Sequence, residues 1–67
     1  MNKHTFADLY DSMTPDEKRT LAQESKTSTA YLYQLATNRR KPGMDVAARL
    51  KRADNRITDS MLRPDLY

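Results

Sequence analysis

The residues best suited to chemistry lie in the middle of the chain. From Thr29 to Lys41 it reads Thr-Ala-Tyr-Leu-Tyr-Gln-Leu-Ala-Thr-Asn-Arg-Arg-Lys. On a helix, Leu32, Leu35 and Ala36 fall on one side, while Thr29, Ala30, Tyr33, Gln34 and Thr37 fall on the other. Tyr31 and Tyr33 are two apart and cannot both face inward. Hydroxyls and an amide on one face are donors and acceptors for a polar partner, and Arg39, Arg40 and Lys41 just beyond are cations suited to anionic oxygens. This set reads and grips a partner; it does not break bonds. Other candidates for chemistry fare worse. Asp16 and Glu17 have a structural task at a helix start, Ser12, Ser25 and Ser60 have no base near them in sequence, and His4 stands alone in the N-terminal arm. No catalysis is expected.

Charge placement agrees with a gripping surface. Of 67 residues, 12 are Lys or Arg and 9 are Asp or Glu, for a net +3. The excess is concentrated. Residues 1–17 hold only Lys3 against four acids, whereas residues 18–44 hold Lys18, Arg19, Lys26, Arg39, Arg40 and Lys41 against Glu24 alone. A basic block beside an acidic flank attracts and steers polyanions; by charge alone, a merely solvated face is an equal reading. With 37 % hydrophobic and 31 % charged residues the chain has a globular balance. The absence of Cys excludes disulfides and thiolate metal sites. One His builds no zinc cluster, so neither metal nor cofactor is expected. No apolar run reaches membrane-spanning length and no apolar signal region opens the chain, which points to a soluble, intracellular protein.

The elements that must position this surface are helical. Phe6, Leu9, Tyr10 and Met13 form the stripe of a first helix ending near Met13. Thr14-Pro15-Asp16-Glu17 has the N-cap, the first-turn Pro and the capping-box Glu of a second, running to about Ser25 over Leu21 and Ala22. Lys26-Thr27-Ser28 interrupts it, and Thr27 or Ser28 caps a third helix running to about Thr37. Asn38 suits the left-handed position after that helix, and Pro42 forbids its continuation. A fourth helix starts near Gly43 or Met44 and buries Met44, Val46, Ala47, Leu50 and Ala53. Thr58 caps a last short turn. No segment alternates long enough to be a strand. The expectation is an all-α domain of four to five helices spanning the whole chain.

Two short helices joined by a three- to four-residue turn, the second with a polar outer face, make a helix-turn-helix. Ala22 must be small where the two helices cross. The polar edge is then free to enter a DNA major groove. At these residues the chain resembles a family. Leu21-Ala22-Gln23-Glu24-Ser25-Lys26-Thr27-Ser28-Thr29-Ala30-Tyr31-Leu32-Tyr33-Gln34-Leu35-Ala36 with Arg39-Arg40-Lys41-Pro42 looks like the helix-turn-helix of lambdoid phage repressors and Cro proteins, nearest the Cro-like/YdaS group. The ending Leu62-Arg63-Pro64-Asp65-Leu66-Tyr67 is similar to that group's tails, and the match covers roughly residues 15–67. The chain departs from the pattern at Lys26, where the family commonly has Gly. A left-handed Lys costs on the order of 1 kcal/mol relative to Gly.

The resemblance implies a compact lambda-repressor-like domain and assigns roles. Thr29, Ala30, Tyr33 and Gln34 match positions that face base edges, with Thr37 at the far end of the same face. Gln34 is the foremost, since its amide can bond an adenine bidentately. Lys18 and Ser28 match phosphate-touching positions, and Asn38, Arg39, Arg40 and Lys41 lie beside the flanking backbone. Tyr31 has two readings, a phosphate contact through its hydroxyl or a packing residue. The tail residues Ile57, Met61, Leu66 and Tyr67 also have two, a dimer surface or closure of the monomer core. The implied function is a cytoplasmic, bacterial-host repressor of Cro type that binds palindromic double-stranded operators as a homodimer and blocks polymerase. Alternatives are an activator of CII type, a toxin–antitoxin autoregulator, or a protein-interaction module using the same helix.

Overall fold

The computed structural model describes residues 5–64. His4, Leu66 and Tyr67 therefore lie outside the described residues. The described chain folds into α1 (Phe6–Asp11), α2 (Pro15–Glu24), α3 (Thr29–Ala36), α4 (Met44–Ala53) and α5 (Asp59–Leu62), with no strand among the described residues.

Side-chain caps set most of the starts. The Thr5, Ser28 and Thr58 hydroxyls accept from Asp8 N–H, Tyr31 N–H and Met61 N–H at 3.1, 3.0 and 3.3 Å. Thr14 and Glu17 close the full capping box, with Glu17 N–H donating to Thr14 Oγ1 at 3.1 Å and Thr14 N–H donating to Glu17 Oε1 at 2.8 Å. Gly43 precedes α4 without a side-chain cap.

The ends of α2 and α3 share one device. Thr27 N–H donates to Ala22 O at 2.8 Å and Lys26 N–H to Gln23 O at 3.2 Å; Arg39 N–H donates to Gln34 O at 2.9 Å and Asn38 N–H to Leu35 O at 3.2 Å. This is the Schellman pattern, which requires a left-handed residue just past the helix. Lys26 and Asn38 supply it at φ 57° and 62°. Asn38 behaves as its side chain predicts, and Lys26 occupies the position that favours Gly. Lys26→Gly is expected to raise stability by about 1 kcal/mol, or roughly 4–8 °C in melting temperature for a domain this small. A circular-dichroism melt equal to the parent's contradicts the strain.

The core is one cluster built from Phe6, Leu9, Tyr10, Met13, Leu21, Ala22, Leu32, Leu35, Leu50, Ile57 and Leu62. α3 packs against both α1 and α2, α2 against α4, and α4 against α5. Three expectations change. α1 stops at Asp11, and Met13 reaches the core from the following loop. Met44 is 90 % exposed rather than buried; it opens α4 about 120° round the helix from the buried Leu50 and about 180° from the half-buried Ala53. Ile57 is 3 % exposed, so it closes the monomer core and is withdrawn from the candidate dimer surface; Met61 is half-buried against the same core.

An acid-sensitive clamp holds the loop after α4. Arg56 Nη2 donates to Asp54 Oδ2 at 2.7 Å, and Arg56 Nε and N–H donate to Oδ1, each at 3.0 Å. Hydrogen bonds from the Arg56 side chain hold the Asp54 carboxyl below the usual carboxylate range, against the opposing effect of burial. A carboxyl depressed in the fold stabilises fully above its unfolded pKa, and that stabilisation is lost as pH falls through the folded value. Stability is thus expected to decline below about pH 4. Asp54→Asn should flatten that decline in urea midpoints measured from pH 7 to pH 2.5.

Candidate nucleic-acid interface

α3 presents its two sides as unlike surfaces. Leu32 and Leu35 are 0 % and 6 % exposed. At 100° per residue, Thr29, Ala30, Tyr33, Gln34 and Thr37 occupy an arc of about 140° centred opposite them. Thr29, Ala30 and Thr37 are exposed, Tyr33 is 55 % exposed, and Gln34 is half-buried at the edge of the arc. The Thr37 hydroxyl is turned back on the helix, donating to Tyr33 O at 2.9 Å. Its methyl group is therefore the part turned away from the hydrogen bond.

The cations follow the helix directly. The Schellman turn folds Arg39 and Arg40 back so that both N–H groups donate to Gln34 O, at 2.9 and 3.3 Å. Asn38, Arg39, Arg40 and Lys41 are all exposed. The outward face of α3 and the basic loop are thereby joined at one carbonyl, that of Gln34. The Arg40 guanidinium carbon lies 5.9 Å from the centre of the Tyr31 ring, a separation at which cation and ring attract. Tyr31 itself is half-buried and packs against the core, the packing alternative offered by the sequence.

At the other end of α3, the Ser28 oxygen accepts from Tyr31 N–H at 3.0 Å, which leaves its own O–H as a donor. Tyr10, on α1, donates its hydroxyl to Thr29 O at 3.3 Å. Burial pushes the Tyr10 phenol above its ordinary value, so it remains a neutral donor. Lys18 Nζ sits 4.5 Å from the centre of the Tyr10 ring. It is half-buried, held by that ring beside the start of α3.

Two residues outside the candidate set, Ser25 and Arg49, hold the turn. Ser25 is 0 % exposed. Its hydroxyl donates to Leu21 O at 2.6 Å and stands 2.9 Å from the Thr27 hydroxyl. Arg49, half-buried on α4, donates Nε to Ser25 O at 2.7 Å. The turn is fixed from within by hydroxyls and from beneath by a guanidinium. A Ser directly before a left-handed residue is a local signal for the first; Arg49, 24 positions away, leaves no such signal.

Among the described residues, no group of three or more His, Cys, Asp or Glu is arranged to hold a metal ion, and no helix is long and apolar enough to cross a membrane. No family model, curated protein or solved structure matches the chain.

Proposed function

We propose that the protein is a sequence-specific double-stranded DNA-binding protein whose α2–turn–α3 unit acts as a helix-turn-helix, and that it works as a transcriptional repressor of Cro type. The observation that carries this reading is the exposure of Thr29, Ala30 and Tyr33, with Gln34 at their edge, on a helix anchored by Leu32 and Leu35 and followed at once by the exposed Arg39 and Arg40. A helix with a polar edge fits the major groove, where each base pair shows its own donor and acceptor pattern. Gln34 is the residue suited to an adenine edge, while Thr29, Ala30 and the Thr37 methyl suit a thymine methyl group. Ser28 O–H and the cations Lys18, Arg39, Arg40 and Lys41 suit phosphates on either side.

Repression follows from occupancy: a domain seated on an operator that overlaps a promoter keeps polymerase off it. Binding as a homodimer to two half-sites about one helical turn apart is part of the same proposal, as is its place in the cytoplasm of a bacterial host. The resemblance to Cro-like regulators supplies the sign of the regulation.

Selection from a random-sequence duplex library followed by gel-shift titration tests this reading. Enrichment of a palindromic site is expected. On that site Gln34→Ala should lower discrimination against random duplex by roughly 1–3 kcal/mol, while Arg40→Ala weakens both about equally. If no sequence is enriched, or both substitutions leave retention unchanged, the assigned face is wrong.

A further inference from the structure

The α2–α3 turn is held from a helix outside the unit it belongs to. α2 packs against α4, and from the middle of α4 the half-buried Arg49 donates Nε to Ser25 O at 2.7 Å. The C-terminal end of a helix carries negative partial charge and carbonyls without helical partners. The last turn of α2 has no base of its own and ends on Glu24. The Schellman bonds of the turn use Ala22 O and Gln23 O, and the Ser25 hydroxyl uses Leu21 O. Ser25 O takes its donor from Arg49. Ser25 is 0 % exposed, a setting in which an acceptor needs a donor.

We infer that Arg49 is a positioning residue for the proposed interface: its bond to Ser25 O sets the angle at which α3 leaves α2, and with it the fit of Thr29, Ala30 and Gln34 to base edges. The consequence for DNA rests on the proposed function; the angle does not. Only residues 25–28 separate the two helices, so a shift at Ser25 passes to α3 as the movement of a rod. A recognition surface works only when held within about 0.5 Å of its productive geometry by supporting groups. The planar guanidinium, with its donors in a fixed fork, suits that task. Its Nη groups are donors as well, which makes a direct grip on phosphate the rival role.

Two substitutions in the full chain separate these roles. Arg49→Gln places an amide N–H the same number of bonds from Cα as Nε, without the charge; Arg49→Met places a methyl group there. Far-ultraviolet circular dichroism checks that both fold, and residual dipolar couplings of ¹⁵N-labelled protein read the angle between α2 and α3. Arg49→Met is expected to change that angle and to shift the amides of Lys26, Thr27 and Ser28, while Arg49→Gln stays near the parent. On the selected duplex, Arg49→Met should lower discrimination against random duplex about tenfold, on the order of one good base contact. The salt slope should stay as in the parent, and Arg49→Gln should regain most of the discrimination. A slope shallower by about 2 in both variants, one phosphate for each protomer of the dimer, overturns the inference in favour of the rival role. Lower stability with full discrimination, or an unchanged angle in Arg49→Met, also overturns it. If the angle changes and the parent binds no duplex, the DNA-binding reading fails and the hold on α3 stands. If the parent selects a duplex and the angle is unchanged, the reverse holds. Should Arg49→Met not fold, the parent decides: Arg49 Nε–H is expected to exchange with solvent about tenfold more slowly than that of the exposed Arg39 or Arg52, and equal rates overturn the inference.

Discussion

Leu32→Ala is expected to remove about half of the domain's stability. Leu32 is 0 % exposed, and it ties α3 to a core drawn from every other helix. Replacing a buried Leu by Ala costs about 2–5 kcal/mol, because the lost transfer energy adds to that of the cavity. A domain of this length has a total stability of about 3–10 kcal/mol. The middle of the first range is therefore about half the middle of the second. The surroundings have little room to collapse into the gap, since α3 is held at one end by the Tyr10 hydroxyl on Thr29 O and at the other by the Schellman turn at Asn38. Tyr33→Ala on the same helix is the control. Tyr33 is 55 % exposed, and substitutions of that kind fall within about 0.5 kcal/mol. Urea unfolding followed at 222 nm checks both, and equal midpoints for the two variants contradict the burial argument.

The contrast between those neighbouring residues was legible in the sequence, and the reason is locality. The alternation of Leu32 and Leu35 with Thr29, Tyr33 and Thr37 follows from helical geometry alone. The same is true of the caps: Thr14 with Glu17, Ser28 and Thr58 each announce a start within three residues of themselves. The ends were less legible. α2 stops at Glu24 and α3 at Ala36 because Lys26 and Asn38 turn left-handed. Asn signals that conformation through its side chain, whereas Lys does not. Met44 was misplaced by its hydrophobicity, although its register on α4 already set it apart from Leu50 and Ala53. What the sequence could not show is long-range. The bonds from Arg49 Nε to Ser25 O and from Tyr10 to Thr29 O join residues 24 and 19 positions apart, and only the assembled core brings them together. For the candidate interface the consequence is specific. Its outward residues could be chosen from α3 alone, but the groups that aim α3 could not.

Affinity for the selected duplex is expected to fall about a thousandfold between 50 and 200 mM salt, in line with about six phosphate contacts. Lys18, Arg39, Arg40 and Lys41 offer four cations in each protomer of the proposed homodimer, so about six of the eight are paired with phosphates. Each neutralised phosphate releases condensed counterions, so the logarithm of the binding constant falls with the logarithm of salt at a slope of roughly −5. Arg39→Ala with Arg40→Ala removes two cations from each protomer of the dimer and should make that slope shallower by about 3–4, with a similar loss on specific and random duplex. Gln34→Ala should leave the slope alone and remove discrimination instead, because a base contact displaces no counterion. The two classes of residue therefore separate on different axes of one experiment. The same measurement weighs the protein-interaction alternative. A partner protein docked on Tyr33 through apolar area has no counterion atmosphere to shed, and its affinity should change little over the same range of salt. A flat salt response, with tight binding to a protein and none to a duplex, would assign the face formed by Thr29, Tyr33 and Gln34 to that partner instead.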